Sequence, residues 1–366
     1  MKLRDLVNPH IRDLAPYVPG KPVEELEREL GIASAVKLAS NESPIGPSRR
    51  AVEAIFAAAE NLNRYPDDTC YLLRDALATQ LGVGADQLCF AGGSDGILDL
   101  LAKCFLAPGD EALFPWPSFA MYPIMARGAG ATPVQVPVDR EYRADVSALL
   151  AAVTPRTRLL LLANPNNPTG TSIGAAEFGR LVRELPERVL LVADEAYLGF
   201  VRRPDFPDGL AALRERQTLV LLRTFSKSHA LAGLRIGYAI GNPDLISYLE
   251  RSRHPFIVNS LAQVAAVAAL ADRVHTARIA KLTHDGIAQL EAGLRAQKIP
   301  FAPTDANFIL IEVGPGADAL QEALLRQGVI TRPLGGFGLK THLRVSVGTE
   351  EENERFLVAL ASERKR

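Results

Sequence analysis

The chain has 366 residues, of which 48% are hydrophobic and 23% are charged, and its formal net charge is -1. This composition is typical of a globular protein with a sizeable core and about two domains, and it argues against extensive disorder. Arg364-Lys365-Arg366 at the end of the chain is the one dense basic block, so nucleic acid is not an expected partner.

The cysteines and the N-terminus indicate the compartment. The three cysteines, Cys70, Cys89 and Cys104, lack metal-type spacing, so they predict neither a disulfide framework nor a zinc site. The charged start, Met1 to Leu6, lacks the apolar core of a signal peptide, and no apolar run reaches the roughly 18 residues of a membrane span. We therefore expect a cytoplasmic protein with no metal and no membrane segment.

The first two regions of the chain differ in pattern. Residues 1–45 are rich in proline and charge and contain one helical pattern, Val23 to Leu30, so we expect an N-terminal arm that packs with the small domain. Over residues 46–255, helical patterns alternate with short apolar runs, which predicts a large domain with a mostly parallel sheet and helices on both faces. The strand-like runs are Leu88–Ala91, Glu111–Phe114, Leu159–Ala163, Val189–Ala193 and Leu219–Leu222.

Two helical patterns, Pro243–Arg253 and Ser260–Ala271, lead out of the large domain. Beyond Pro300 the pattern changes to two strands with a helix between them, which predicts a smaller α/β C-terminal domain over residues 256–366. Its predicted elements are a strand at Asn307–Val313, a helix at Asp318–Gln327, a strand at Leu343–Val347 and a final helix.

The stretch from Thr224 to Tyr238 places Lys227 in the turn after the fifth apolar run, with Ser226 beside it and Arg235 eight residues later. Strand ends are where open α/β sheets bind their ligands. Burial lowers the pKa of a lysine and makes it a nucleophile toward an aldehyde, and a hydroxyl and a guanidinium suit a phosphate. The pattern predicts a pyridoxal-phosphate site in which Lys227 binds the aldehyde.

Two earlier strand ends carry groups that suit the same cofactor. Asn167 lies in a proline-rich turn, and Asp194 and Tyr197 follow the next strand. A buried carboxylate keeps a pyridine nitrogen protonated, so that the ring accepts electrons; the amide and phenol can donate to the ring oxygen. Lys227 would then move a proton between Cα and the cofactor. In isolation the turn could be scaffolding, and Asp194 could be a helix N-cap.

The segment Phe90 to Leu101 passes from a strand through glycines into a helix that starts near Ser94 and Asp95. Backbone amides at such a helix start can bind a phosphate, although ordinary packing explains many such turns. Phe119, after the next strand, could stack on a planar ring or belong to the core.

Arg344 lies at the start of the last predicted strand, where alternation places it opposite Leu343 and Val345. Arginine can bind an α-carboxylate with two hydrogen bonds, but the pattern alone favours a surface salt bridge. His229, two residues from Lys227, is expected only to pack.

Together these motifs resemble those of the fold-type I pyridoxal-phosphate aminotransferases, and within them the histidinol-phosphate aminotransferase family. The resemblance covers nearly the whole chain. It is carried by Pro16–Gly20, Leu38–Pro44, Tyr65-Pro66-Asp67, Asn166–Gly170, Asp194–Tyr197, Ser226-Lys227 with Arg235, and Arg344–Thr349.

The resemblance implies a homodimer in which the partner subunit's Tyr65 reaches the cofactor phosphate. It implies further cofactor contacts on the phosphate from Ser94, Asp95, Ser226 and Arg235, and on the ring from Phe119. The residues implied near the substrate are Tyr17, Asn41, Arg332 and Arg344, with Arg332 facing a distal phosphate or carboxylate.

Four positions depart from the family's pattern. Gly96 stands where glutamate is common, Phe119 where many relatives have tyrosine, and Ser228 and His229 replace more usual neighbours of the lysine. These departures leave the cofactor residues intact, but they bear on the choice of substrate.

The resemblance implies a transaminase that passes an amino group from histidinol phosphate to 2-oxoglutarate in histidine biosynthesis. An aromatic amino-acid aminotransferase for phenylalanine or tyrosine is the alternative within the same chemistry. A threonine-phosphate-type decarboxylase is an alternative of another class on the same scaffold. A cofactor-sensing regulator is disfavoured because no helix-turn-helix pattern precedes the large domain.

Overall fold

The computed structural model describes residues 2–16, 20–32 and 34–364. The strands of this part of the chain are β1 Val36–Lys37, β2 Leu88–Ala91, β3 Glu111–Trp116, β4 Thr132–Pro137, β5 Thr157–Ala163, β6 Leu190–Asp194, β7 Leu219–Thr224, β8 Gly237–Gly241, β9 Phe308–Glu312, β10 Val329–Ile330, β11 Arg332–Pro333 and β12 His342–Ser346. The α-helices are α1 Pro9–Arg12, α2 Val23–Leu30, α3 Arg49–Ala58, α4 Tyr71–Leu81, α5 Ser94–Phe105, α6 Met121–Gly128, α7 Val146–Ala151, α8 Ala175–Glu184, α9 Gly209–Glu215, α10 Pro243–Ser252, α11 Ser260–Ala271, α12 Arg273–Ala296, α13 Ala317–Arg326 and α14 Glu350–Glu363.

The large domain is built on a seven-stranded sheet in the order β2-β8-β7-β6-β5-β3-β4. Its neighbouring strands are parallel except at β8, which is antiparallel to both β2 and β7. The predicted α/β fold with a mostly parallel sheet is confirmed.

Both faces of this sheet are buried, because alternate residues of its strands enter two different cores. In β5, Leu160 and Leu162 belong to one apolar cluster, whereas Leu159 and Leu161 belong to the other. Strands buried on both faces are continuous apolar runs, which is why these strands could be predicted from the sequence.

The small domain holds a three-stranded antiparallel sheet in the order β11-β12-β9, backed by α12, α13 and α14. The N-terminal arm joins it, because β1 pairs in parallel with β10. The carbonyl of Leu38 also accepts a hydrogen bond from the backbone N–H of Ser346 at 2.9 Å. The arm is therefore joined to the small domain by backbone hydrogen bonds, and it lies close to the large domain.

The position of α11 differs from the predicted division at residues 255/256. Ala262, Ala265, Ala266 and Ala269 of this helix lie in the core of the large domain, and the helix packs against α3 and α4. Alanines allow this close helix approach, since they bring no bulk to the contact. We propose that the boundary between the domains lies after Ala271 rather than after residue 255.

Candidate active site

The carboxyl ends of β5, β6 and β7 open onto one cavity of about 410 Å³. Parallel strands present their carboxyl ends at the same edge of the sheet, so side chains far apart in sequence meet there. The predicted site residues on the cavity wall are Asn41, Ser94, Asp95, Phe119, Asn167, Asp194, Tyr197, Ser226, Lys227, Arg235, Arg332 and Arg344.

Lys227 follows the end of β7 and points its amine into the cavity. The Nζ atom donates to the carbonyl oxygens of Ser40 at 3.3 Å and Asn41 at 3.1 Å, and it lies 5.8 Å from the ring centre of Tyr197. Burial, assisted by the positive charge of Arg344, lowers the pKa of Lys227 to about 8. A larger fraction of the amine is therefore neutral and nucleophilic near neutral pH.

Asp194 is the last residue of β6 and is only 4% exposed. The hydroxyl of Tyr122 donates to its Oδ2 at 3.1 Å, and the backbone N–H of Ala196 donates to its Oδ1 at 3.1 Å. Burial raises the pKa of Asp194 to about 6, although both hydrogen bonds act in the opposite direction. A buried carboxylate of this kind stabilises a positive charge placed beside it.

Tyr122 was not predicted as a site residue. It lies in the first turn of α6 and is fully buried, with its ring edge-on to Phe119 at 5.7 Å between centroids. A tyrosine in an apolar helix pattern predicts core packing, and only its three-residue spacing from Phe119 connects it to the cavity.

Tyr197 and Asn167 supply polar groups to the cavity wall. The Tyr197 hydroxyl accepts a hydrogen bond from Asn41 Nδ2 at 2.9 Å, and burial raises the pKa of Tyr197 to about 12, so the phenol keeps its proton. Asn167 Oδ1 accepts from Arg344 Nη1 at 2.6 Å. Its Nδ2 group is then the one that can donate to a ligand oxygen.

Arg344 is buried, which excludes the surface salt bridge that the pattern alone favoured. It is 6% exposed, because β12 is the central strand of the small sheet, and its Nη2 also donates to the carbonyl of Ala39. Arg332, in the neighbouring strand β11, is its direct cross-strand partner and lines the same cavity. Two guanidinium groups therefore make this end of the cavity suitable for an anionic group.

Another part of the cavity wall offers groups that suit a phosphate. Ser94 begins α5, and Ser226 and Arg235 face the same space, with Arg235 Nη2 donating to Asp95 Oδ2 at 3.3 Å. A Cβ at Gly237 would lie 2.5 Å from the backbone nitrogen of Ser94, so glycine there lets β8 run directly against the helix start. A helix N-terminus with a guanidinium and a hydroxyl beside it is a favourable anion site.

These groups fit pyridoxal phosphate. Phosphate donors, a buried carboxylate for the ring nitrogen, an amide and a phenol for the ring oxygen, and an amine for the aldehyde all belong to one cavity wall. The chemistry of this donor set matches every polar edge of the cofactor.

One predicted residue among those described is not on this wall. Tyr65 is 83% exposed and stacks on Phe256, with 4.7 Å between the ring centroids, and in its own subunit it does not line the cavity. Tyr17 lies outside the described residues, and its predicted role near the substrate stays a prediction.

Of the four residues that depart from the family pattern, Phe119 lines the cavity, whereas Gly96, Ser228 and His229 do not. Ser228 packs against Gly199, where an added Cβ would lie 2.5 Å from the Cβ of Ser228. His229 packs against Phe225 with the rings tilted by 51° and 4.9 Å between centroids, and burial lowers the pKa of His229 to about 4, so the ring is neutral. A Cβ at Gly96 would lie 3.0 Å from that of Ala91, so helix α5 packs closely on β2 there.

Two kinds of feature are absent from residues 2–16, 20–32 and 34–364. None of the helices there is long and apolar enough to cross a membrane. The same residues contain no cluster of three or more His, Cys, Asp or Glu side chains that could hold a metal ion.

A lysine, a buried carboxylate and a helix-start anion site at the carboxyl edge of such a sheet define a fold-type I pyridoxal-phosphate-dependent transferase. The chain belongs to the family described as aminotransferase class I and II, whose sequence model matches residues 33–360.

Individual relatives cover nearly the whole chain. It is similar to histidinol-phosphate aminotransferase 2 of Pseudomonas aeruginosa, with 47% identity over 97% of this chain and 96% of the relative. It is also similar to histidinol-phosphate aminotransferase of Moorella thermoacetica, with 44% identity over 96% and 91% of the two chains. Among solved structures, histidinol-phosphate aminotransferase from Sinorhizobium meliloti in complex with pyridoxal-5'-phosphate matches with a TM-score of 0.89 and 28% identity, over 97% and 96% of the chains.

Proposed function

We propose that the chain is a pyridoxal-phosphate-dependent transaminase that passes the amino group of histidinol phosphate to 2-oxoglutarate, in histidine biosynthesis. The observation that carries the proposal is the pair Arg332 and Arg344 on the wall of the cavity that holds Lys227. Both proposed substrates carry an anionic group that such guanidinium groups can bind. The names of the relatives, at 47% and 44% identity, support the same amino donor.

The residues of the chain divide the chemistry among them. When bound, pyridoxal phosphate supplies an aldehyde that takes the amino group and a ring that delocalises negative charge. We assign to Lys227 the attachment of the aldehyde and the transfer of the proton at the substrate Cα, because its lowered pKa suits both tasks. Asp194 would keep the ring nitrogen protonated, while Asn167 and Tyr197 donate to the ring oxygen.

The remaining wall residues would hold the two ends of the site. Ser94, Asp95, Ser226 and Arg235 would surround the cofactor phosphate, and Phe119 would pack on the ring. On the substrate side, we assign the distal anionic group to Arg332 and the group nearer Cα to Arg344, with Asn41 beside them. Closing this space around the substrate would exclude water from the reacting atoms.

The same proposal includes a homodimer in the cytoplasm. Large apolar side chains are exposed around α3, α4 and the turn before α11; they are Phe56, Leu62, Tyr65, Tyr71, Leu72 and Phe256. Surfaces of this kind mark protein interfaces, and a second copy would bring the partner subunit's Tyr65 to the cofactor phosphate. We expect sedimentation to give the mass of a dimer, and we expect the substitution Leu72→Asp to weaken that dimer.

The cytoplasmic location is supported by the cysteines. The free cysteines Cys70, Cys89 and Cys104 agree with a reducing compartment.

A panel of amino donors tests the function. Histidinol phosphate, phenylalanine and tyrosine are each assayed with 2-oxoglutarate, and we expect the largest kcat/KM for histidinol phosphate. Comparable rates for phenylalanine with none for histidinol phosphate would indicate an aromatic aminotransferase. Release of carbon dioxide from O-phosphothreonine without an oxo acid would indicate a decarboxylase and contradict transamination.

A further inference from the structure

Residues 38–41, which we call the arm segment, pass between the small domain and the cavity. All four of their carbonyl oxygens accept hydrogen bonds from β12 or from Lys227. The donors are the Ser346 N–H to Leu38 at 2.9 Å, Arg344 Nη2 to Ala39, Lys227 Nζ to Ser40 at 3.3 Å and Lys227 Nζ to Asn41 at 3.1 Å. The arm segment is therefore a backbone connection between the small sheet and the amine of the active site.

Asn41 gives this segment an unusual turn. Its φ is +54°, in the left-handed region that residues with a Cβ seldom occupy, although asparagine enters it more readily than most. Such a conformation persists only where neighbouring groups hold it. Because Asn41 is only 1% exposed, those groups have to come from the protein.

Two buried side chains hold Asn41 in this conformation. The Ser346 hydroxyl accepts from the Asn41 N–H at 2.8 Å and donates to Asn41 Oδ1 at 2.8 Å, which closes a ring of two hydrogen bonds. Asn307 Nδ2 donates to the Asn41 carbonyl at 3.1 Å. Ser346 is 2% exposed and does not line the cavity, so its hydroxyl acts on the arm segment and not on a bound ligand.

This conformation of Asn41 serves two groups of the proposed site at once. Its carbonyl faces the Lys227 amine, while its side-chain amide donates to the Tyr197 hydroxyl at 2.9 Å. We infer that Ser346 is a positioning residue, which locks Asn41 in its left-handed turn so that the carbonyls of residues 40 and 41 receive the Lys227 amine whenever it is not bound to the cofactor. The inference rests on the proposed function, since it describes the position of the Lys227 amine at those stages of turnover when it is not attached to the cofactor.

The carbonyl pair acts on Lys227 in addition to its charged neighbours. Burial and the positive charges of Arg344 and Arg235 favour the neutral amine, whereas the negative charges of Glu42 and Asp95 favour the ammonium form. Two carbonyl dipoles that accept from Nζ stabilise the ammonium form as well. Loss of the Ser346–Asn41 hydrogen bonds would remove that stabilisation, whereas the charged neighbours of Lys227 would stay in place.

The experiment compares Ser346→Ala with the unchanged protein, both without cofactor. Lys227 is labelled with an amine-reactive reagent across a pH series, and its peptide is quantified by mass spectrometry to give a titration midpoint. We expect the midpoint to fall by about one pH unit in the variant, equivalent to about 1.4 kcal/mol. A midpoint that stays the same, or that rises toward the ordinary lysine value of about 10.4 as a loosened and hydrated site would give, overturns the inference.

A pair of substitutions at Asn41 tests the backbone argument independently of Ser346. Both Asn41→Gly and Asn41→Ala remove the side chain, but only glycine accepts a positive φ without strain. We expect the Lys227 midpoint to stay within about 0.3 units of the unchanged protein in Asn41→Gly and to fall in Asn41→Ala by as much as in Ser346→Ala. Equal shifts in the glycine and alanine variants would show that the left-handed turn does not position the carbonyls.

Thr283→Val is the matched control, because Thr283 is also a buried hydroxyl residue of the small domain, 1% exposed, in helix α12. The Lys227 midpoint in this control should equal that of the unchanged protein. A lower midpoint would show that the shift in Ser346→Ala comes from a general loss of packing.

A separate borohydride reduction of the cofactor-loaded protein locates the attached lysine. Attachment of the cofactor to a residue other than Lys227 would refute the proposed function. The titration of Ser346→Ala reports only on the Ser346–Asn41 hydrogen bonds.

Discussion

The two halves of the cavity are built in different ways. The proposed cofactor half includes side chains at the ends of β5, β6 and β7, together with Ser94 at the start of α5, and these lie in short contiguous motifs beside apolar strands. The substrate half is assembled from the arm segment and from strands β11 and β12. The arm segment precedes these two strands by some three hundred positions in sequence, as the Asn41–Ser346 contact shows. The chemistry is thus encoded locally, while the recognition depends on how two domains and the arm meet.

This difference separates the effects that substitutions should have. Changes in the cofactor half should reduce the rate of the chemical step for every amino donor, because each donor uses the same cofactor. Changes in the substrate half should alter KM and donor preference, because they act on the groups to which we assign substrate binding. The predictions below test that division, beginning with the largest effect.

Lys227→Ala should produce the largest loss, on the order of 10⁴-fold or more in kcat, because it removes both the attachment of the aldehyde and the proton transfer. The loss should be the same for every donor. Steady-state rates with histidinol phosphate and phenylalanine measure it. The control is Lys281→Ala, an exposed lysine paired with Asp285, which should keep full activity. Substantial turnover in Lys227→Ala would contradict the assignment.

Asp194→Asn should lower kcat on the order of 10²–10³-fold, since a neutral amide cannot stabilise the charged ring nitrogen in a buried site. KM should change little, because Asp194 lies in the cofactor half. A variant at the exposed carboxylate Asp285, changed to Asn, controls for loss of charge alone. If Asp194→Asn raised KM and left kcat unchanged, Asp194 would belong to substrate binding and the division between the halves would fail.

Arg344→Lys should raise KM for the amino donor by about 10–100-fold, because lysine keeps the charge but loses the planar pair of donors that meets Asn167 and a substrate anion. The effect on kcat should be the smaller one. Initial rates over a range of donor and oxo-acid concentrations separate the two constants. Arg295→Lys, at an exposed ion pair with Glu291, is the matched control. An unchanged KM would remove Arg344 from the substrate half.

The pH dependence of cofactor attachment should be the mildest effect. Because burial lowers the pKa of Lys227 to about 8, the neutral amine increases as the pH rises through that value and reaches a plateau above it. The rate at which the cofactor-free protein combines with pyridoxal phosphate should therefore rise about fivefold from pH 7 to 8 and level off above about pH 9. Stopped-flow absorbance measures this rate. A rise that continued to pH 10 would show that Lys227 has an ordinary pKa.

The sequence predicted the parts of the fold whose residues are buried on both sides. Strands such as β5 are apolar throughout, whereas the edge strand β4 is half-exposed and contains Pro133 and Pro137, so no apolar run marks it. Strand β8 is short, begins and ends with glycine, and runs against its neighbours. The long helix α12, which follows Ala271, could not be predicted from the sequence, because it carries many charged side chains.

The same physical reason applies to the site. Lys227 and Asp194 could be predicted because each follows an apolar strand, where the sheet presents its ligands. Tyr122 and Ser346 could not be predicted, since an apolar helix pattern conceals the first and the second acts through Asn41, which is distant in sequence. Arg344 was predicted as a site residue from the family resemblance, whereas alternation alone pointed to the surface.

A single half-reaction tests the central proposal most directly. The cofactor-loaded protein is mixed with one equivalent of histidinol phosphate and no oxo acid, and the cofactor is recovered by denaturation and separated by chromatography. We predict near-stoichiometric recovery of its aminated form, with a slower and less complete conversion by phenylalanine. Recovery of the unchanged aldehyde after histidinol phosphate, together with full conversion by phenylalanine, would contradict the account.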